Sequence, residues 1–239
     1  MEALNHLETA SRVKSVCSQV LRYGIILGLV ERDFTQDLKG YLSAPTVHHM
    51  PTITDPPGVT KLMKAVFSYH GHISVVYGLR LLPYLFVRPG ELRAALWSEI
   101  DWEEKLWRIP TEKMKMMRPH LVPLADQVIT ALMDLKNFTG QGELLFPSPR
   151  LKTRPISDMA LTVALRTLGY GQGEIVPHGF RSMASTLLNE QGYNRDWIER
   201  QLAHVPGGVR AVYNYAEYLP ERRKMMADWA NYLDKLRDS

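Results

Sequence analysis

Residues 177–218 read PHGFRSMASTLLNEQGYNRDWIERQLAHVPGGVRAVYNYAEY, and the fold and chemistry of the whole chain are best approached from this stretch. It brings together His178, Arg181, His204 and Tyr213. His178 and Arg181 stand three apart at the head of a segment whose apolar residues, Phe180, Met183, Ala184, Leu187 and Leu188, recur at helical spacing. Both polar heads therefore sit beside a face that must be buried. A helix that opens this way offers an imidazole, a guanidinium and free backbone N–H groups to one anion. His204 closes a second short amphipathic run containing Trp197, Ile198 and Leu202, and Tyr213 follows nine residues later, beyond Pro206-Gly207-Gly208. A tyrosine so placed has the chemistry of a nucleophile. Each residue also has a plainer reading: His-x-x-Arg as a surface pair, and Tyr213, Tyr215 and Tyr218 as core or interface filler.

Composition narrows the classes. The 239 residues carry a net charge of +4 and are 45% hydrophobic and 23% charged, which suits a soluble globular protein with a full core. No stretch approaches the roughly 18 apolar residues of a membrane span, and no secretory leader opens the chain, so the expected address is the cytoplasm. The lone cysteine, Cys17, excludes an internal disulfide and a cysteine-based metal cluster, and is expected to be a buried small hydrophobe. His48-His49 has no acidic or thiol neighbours to complete a metal site. Residues 1–50 hold five basic and five acidic side chains, so the positive excess belongs to the remainder, where it permits a polyanionic partner.

Periodicity predicts a helix over 6–29 with a stripe of Val13, Val16, Cys17, Val20 and Leu21, which one helix cannot bury by itself. Prolines 45, 51, 56 and 57 mark a linker, so the expected organisation is 1–44, a linker at 45–53 and a main domain from 54 to 239. Thr54-Asp55-Pro56-Pro57 caps a helix carrying Val59, Leu62, Met63, Val66 and Phe67, and a more uniformly apolar helix follows over 73–86. Arg88 stands between that helix and one begun by Pro89, where it either caps carbonyls and pairs with Glu91 or faces a ligand. Residues 106–109 and 120–124 read as strands with a turn at 103–105. Lys113, Lys115 and Arg118 crowd their connection, which suggests a hairpin reaching toward phosphates; a solvated basic loop is the plainer reading for Lys113 and Arg118. Helices are expected at 126–138, at 157–168 with Ser157 as cap, and at 220–236 around Met226, Trp229, Ala230 and Leu233. The predicted class is mainly α with a small antiparallel sheet.

Taken as a set, His178-Gly179-Phe180-Arg181, Leu202-Ala203-His204 and Tyr213 resemble the C-terminal signature of the phage integrase, or tyrosine recombinase, family: H-x-x-R, L-x-H and a tyrosine nine residues on. Arg88-Pro89-Gly90-Glu91-Leu92 matches the family's R-x-G-E-L box, and Trp97-Ser98-Glu99-Ile100-Asp101 stands where the family has W-x-D-I-D. Counting back from Val122-Pro123-Leu124, the family's hairpin lysine falls on Lys115, with Lys113 as the fallback. The resemblance runs from about Thr54 to Leu236. Met114 to His120 and Ala216-Glu217-Tyr218 look most like integrases of prophages and genomic islands. Two departures stand out: Val205-Pro206-Gly207-Gly208 before the tyrosine, and an N-terminal part that matches at most the last helix of a core-DNA-binding domain, as in a truncated chain.

The resemblance implies the catalytic-domain fold of DNA breaking-rejoining enzymes and site-specific DNA integration and recombination. Tyr213 would attack the scissile phosphorus to form a 3′-phosphotyrosyl bond, with Arg88 and Arg181 on the non-bridging oxygens and Lys115 protonating the leaving 5′ oxygen. His178 would take the phenol proton, and His204 would donate to the phosphate. No metal or other cofactor is implied. The partners would be double-stranded DNA at an attachment or core site and further copies of the chain, as a tetramer, with the helix around Trp229 docking on a neighbouring subunit. The alternatives are a catalytically silent DNA-binding remnant and an enzyme like the type IB topoisomerases, whose tyrosine is usually spaced differently.

Overall fold

The computed structural model describes residues 6–43, 50–114, 119–204 and 217–239, and the chain divides into two compact units, Met1–His49 and Met50–Ser239. In the first unit, α1 (Leu7–Ile26) is followed by a left-handed Gly28 and a 3-10 turn, Phe34–Leu38. Asp33 joins the two, accepting from Ser18 Oγ at 2.5 Å, from Thr35 N at 3.0 Å and from Thr35 Oγ1 at 2.6 Å. These bonds, Ser18's first, hold the Asp33 carboxyl well below the usual carboxylate range. Of the α1 stripe, which one helix cannot bury by itself, Val13, Val16 and Val20 are exposed; Cys17 is exposed too, against the reading of it as a buried hydrophobe. The reason is geometric. Within its unit, α1 packs on the 3-10 turn through the Ser18 face, which leaves the stripe outward.

The second unit holds the core. Asp55 caps α2 (Pro56–Ser68), accepting from Gly58 N at 2.7 Å, and the helix buries Val59, Leu62, Met63 and Val66. α3 (Ile73–Leu85) is apolar nearly all round and is therefore central among the described helices, packing against α2, the short α4 (Pro89–Arg93) and later helices of the unit. It ends at Phe86, whose left-handed φ of 36° turns the chain toward Arg88. The sheet is antiparallel in the order β1-β2-β3, from β1 (Ile100–Asp101), β2 (Leu106–Ile109) and β3 (His120–Pro123), with Ile100 opposite Trp107 and Ile109 opposite His120. At two residues, β1 is too short to show alternation, and sequence periodicity missed it.

α5 (Asp126–Thr139) lies where expected, whereas α6 (Ala160–Thr167) starts three residues after Ser157. The preceding chain is still extended there, with Pro155 bridged to Pro147 and Ile156 N donating to Phe146 O at 2.9 Å, so Ser157 supplies only a turn carbonyl to Ala160 N. α7 (Gly179–Glu190), α8 (Arg195–Gln201) and α9 (Leu219–Asp238) complete the fold. Trp229 corrects another expectation. It is fully buried in its own unit, donates Nε1–H to Pro83 O at 2.9 Å and meets Phe86 edge to face, so α9 packs on α2 and α3 and its apolar face is not left for a neighbouring subunit. No described helix is long and apolar enough to cross a membrane.

Candidate active site

Arg181, in the first turn of α7, is buried, and two helix ends hold it. Its Nη1 donates to Phe86 O at 2.8 Å, where α3 stops, and its Nη2 donates to Leu202 O at 2.7 Å, where α8 stops. C-terminal carbonyls of this kind lack intrahelical donors and carry the negative end of the helix dipole, so they orient a cation without neutralising it. Among the described residues no carboxylate pairs with Arg181. Burial, and then Arg88, lower its pKa to about 10, which still leaves it charged at neutral pH.

Arg88 precedes α4 and is fixed by the buried Glu91, which accepts from its backbone N–H at 3.0 Å and from Nη1 at 2.6 Å. Its Nη2 donates to Ala203 O at 3.2 Å. The plainer reading of this arginine, a pair with Glu91 and a bond to a carbonyl, is what the geometry shows, and together these contacts fix the guanidinium beside residue 203. Residues 202 and 203 supply one carbonyl to each arginine, and Ala203 does so from a left-handed φ of 50°.

His178, half-buried at the head of α7, has its pKa lowered by burial first and then by Arg181 and Arg88, so its ring is neutral at neutral pH. His204 lies just past α8, its Nδ1 2.8 Å from Glu199 Oε2 and its Nε2 3.3 Å from Arg181 Nη2. His178, Arg181 and His204 line a cleft of about 220 Å³ together with Ser182, Ser185 and Thr186. Cavities of about 430 and 680 Å³ lie elsewhere and contain none of the candidate residues, so volume alone would misplace the site.

Of the hairpin residues, Lys113 pairs with Glu99 and donates to Ala94 O at 2.7 Å. Its ammonium is engaged at the root of the hairpin and is not freely solvated in the way the plainer reading had it. Lys115, Arg118 and Tyr213 lie outside the described residues. Beneath the site, His120 Nε2 lies 3.1 Å from Gln201 O, and the fully buried Arg222 donates to Gln201 Oε1 at 2.6 Å and to Leu121 O at 2.5 Å. β3, α8 and α9 are thereby joined. Sequence reasoning did not single out Glu199, Ser182 or Ser185. Glu91 was visible within its motif, while Glu199 stands five residues before His204, a spacing that no helical pattern flags.

Two arginines aimed by helix ends and a buried glutamate, with two imidazoles beside them, gather positive charge and N–H donors suited to an anion. The chain belongs to the phage integrase family: residues 56–219 match that family's model, and residues 1–41 match the phage integrase central domain. Over the whole of this chain it is 34% identical to the putative protein IntB of Escherichia coli K12 and 34% identical to the integrase of Enterobacteria phage P4. The chain spans 64% and 58% of those two proteins. Its fold is similar to that of a lambda integrase dimer bound to a COC′ core site, with a TM-score of 0.65 at 18% identity over 90% of this chain and 61% of that one.

Proposed function

We propose that this chain cleaves and rejoins DNA at a specific core site through a 3′-phosphotyrosyl intermediate. The observation that carries the reading is the convergence of Arg88, Arg181, His178 and His204, with Arg181 left charged and without a carboxylate partner among the described residues. In the proposed step, Tyr213 Oη bonds to the scissile phosphorus as the P–O5′ bond breaks. The phenol proton passes to the neutral His178, and the Lys115 ammonium protonates the departing 5′ oxygen. The guanidiniums stabilise the charge gathered on the non-bridging oxygens, so the roles are filled by side chains without a metal or cofactor. Cleavage conserves the phosphodiester energy in the tyrosyl bond, and a second 5′-hydroxyl can reverse it. The partners proposed are a double-stranded core site and further copies of the chain, up to a tetramer on two synapsed duplexes. Lys113 and Arg118 remain proposed backbone contacts of the hairpin; for Lys113 this requires exchange of Glu99 for a phosphate.

The test is covalent trapping on a nicked suicide substrate. Wild-type protein and Tyr215→Phe are expected to give a protein–DNA adduct, and Tyr213→Phe to bind the DNA without one. An adduct from Tyr213→Phe would move the nucleophile elsewhere. No adduct from any form, with DNA binding retained, would favour a silent DNA-binding protein.

A further inference from the structure

His204 touches two groups of opposite character, and together they determine where its proton sits. An arginine only donates, so Nε2, 3.3 Å from Arg181 Nη2, must present its lone pair there. The ring proton is then on Nδ1, which is 2.8 Å from Glu199 Oε2 and donates to it. Glu199 belongs to α8, and His204 lies beyond the left-handed turn at Ala203, with His204 N donating to Glu199 O at 3.0 Å. Backbone and side chain of the same glutamate therefore hold the histidine at both ends. Among the described residues that carboxylate makes no other hydrogen bond or ion pair, whereas the neighbouring Arg200 is engaged with Glu217. The geometry points to Glu199 as a positioning residue that keeps His204 in the Nδ1–H tautomer with Nε2 turned to the phosphate-binding arginine.

This assignment rests on the proposed recombinase reading and adds a residue to it. Were the ring to turn over, Nδ1 would face Arg181 and the Nε2 side would be lost to solvent. When a phosphate engages Arg181, Nε2 is the ring atom left beside it, with Nδ1–H held on Glu199 at the opposite side of the ring. The arrangement parallels the carboxylate that fixes the tautomer of a hydrolase's catalytic histidine, although here the histidine serves a phosphate.

Long-range nitrogen–proton NMR of the neutral imidazole, assigned by comparison with His204→Asn, reads the tautomer directly, and the adduct rate on the nicked substrate reads its consequence. Wild-type protein should show a protonated Nδ1 and a bare Nε2. Glu199→Gln, whose amide oxygen still accepts from Nδ1–H, should keep that pattern and most of the rate. Glu199→Ala should give a mixture of tautomers and form the adduct more slowly by on the order of tenfold to a hundredfold, with DNA affinity unchanged. A Glu199→Ala protein that retains the single tautomer and the wild-type rate overturns the assignment. So does a Glu199→Gln protein as slow as Glu199→Ala. If wild-type protein gives no adduct at all, the recombinase reading fails, and the tautomer comparison alone still decides the role of Glu199.

Discussion

Ala203 shows how a single residue's backbone serves the site. Its left-handed φ of 50° lets residues 202 and 203 turn one carbonyl to Arg181 and the other to Arg88. For an L-residue that conformation costs about 1–2 kcal/mol, while glycine adopts it freely but loses roughly 0.5–1 kcal/mol more chain entropy on folding. Ala203→Gly should therefore stabilise the protein by about 0.5–1 kcal/mol, seen as a rise in thermal midpoint of about 2 °C. Adduct formation should be unchanged, because both carbonyls stay in place. A fall in stability would mean that the methyl group's packing against the core outweighs the strain.

Among the elements, the tie between β3, α8 and α9 has a pH signature. Gln201 O accepts only, so His120 donates Nε2–H to it and is neutral; burial first, and then Arg222, lower its pKa from 6.5 to about 3. A histidine with a depressed folded pKa leaves stability intact above the unfolded value. As pH falls through 6.5 the unfolded chain takes up a proton that the folded chain refuses, so stability declines until the folded pKa is reached. Between pH 6.5 and about 5 this one group should remove about 2 kcal/mol. Urea midpoints measured at about pH 7.5 and about pH 5 should therefore separate further for the wild type than for His120→Gln, which keeps a donor but does not titrate. Equal separations would show that His120 is protonated in the folded state.

At the scale of the molecule, the candidate residues that can be placed all belong to the unit Met50–Ser239, which has its own continuous core. The unit Met1–His49 contributes none of them. Chemistry and affinity should consequently be separable. Protein lacking residues 1–49 should still form the adduct when core DNA is supplied at high concentration, but bind more weakly. Its log affinity should depend less steeply on log salt, by about 0.9 for each phosphate contact removed. An identical salt slope with and without the first unit would exclude that unit from DNA contact.

Much of this was legible in the chain because it depends on neighbours in sequence. Asp55 with two prolines marks the start of α2 through groups within one turn of each other, and His178 and Arg181 share a helix face because three residues make nearly one turn. Their match to family motifs, with Arg88, Leu202 and His204, was legible in the sequence as well. Other features depended on contacts across the fold. The Phe86 carbonyl reaches Arg181 over 95 positions, the Ala203 carbonyl reaches Arg88 over 115, and Glu199 meets His204 only because a helix ends in a left-handed turn between them. The outward stripe of α1 and the inward face of α9 have similar apolar periodicity, yet the first is exposed and the second forms core. Periodicity establishes that a helix has an apolar side, since that follows from 3.6 residues per turn. Which surface covers that side, and which carbonyls aim a buried guanidinium, only the tertiary structure decided, because both depend on elements far apart in the chain meeting in space.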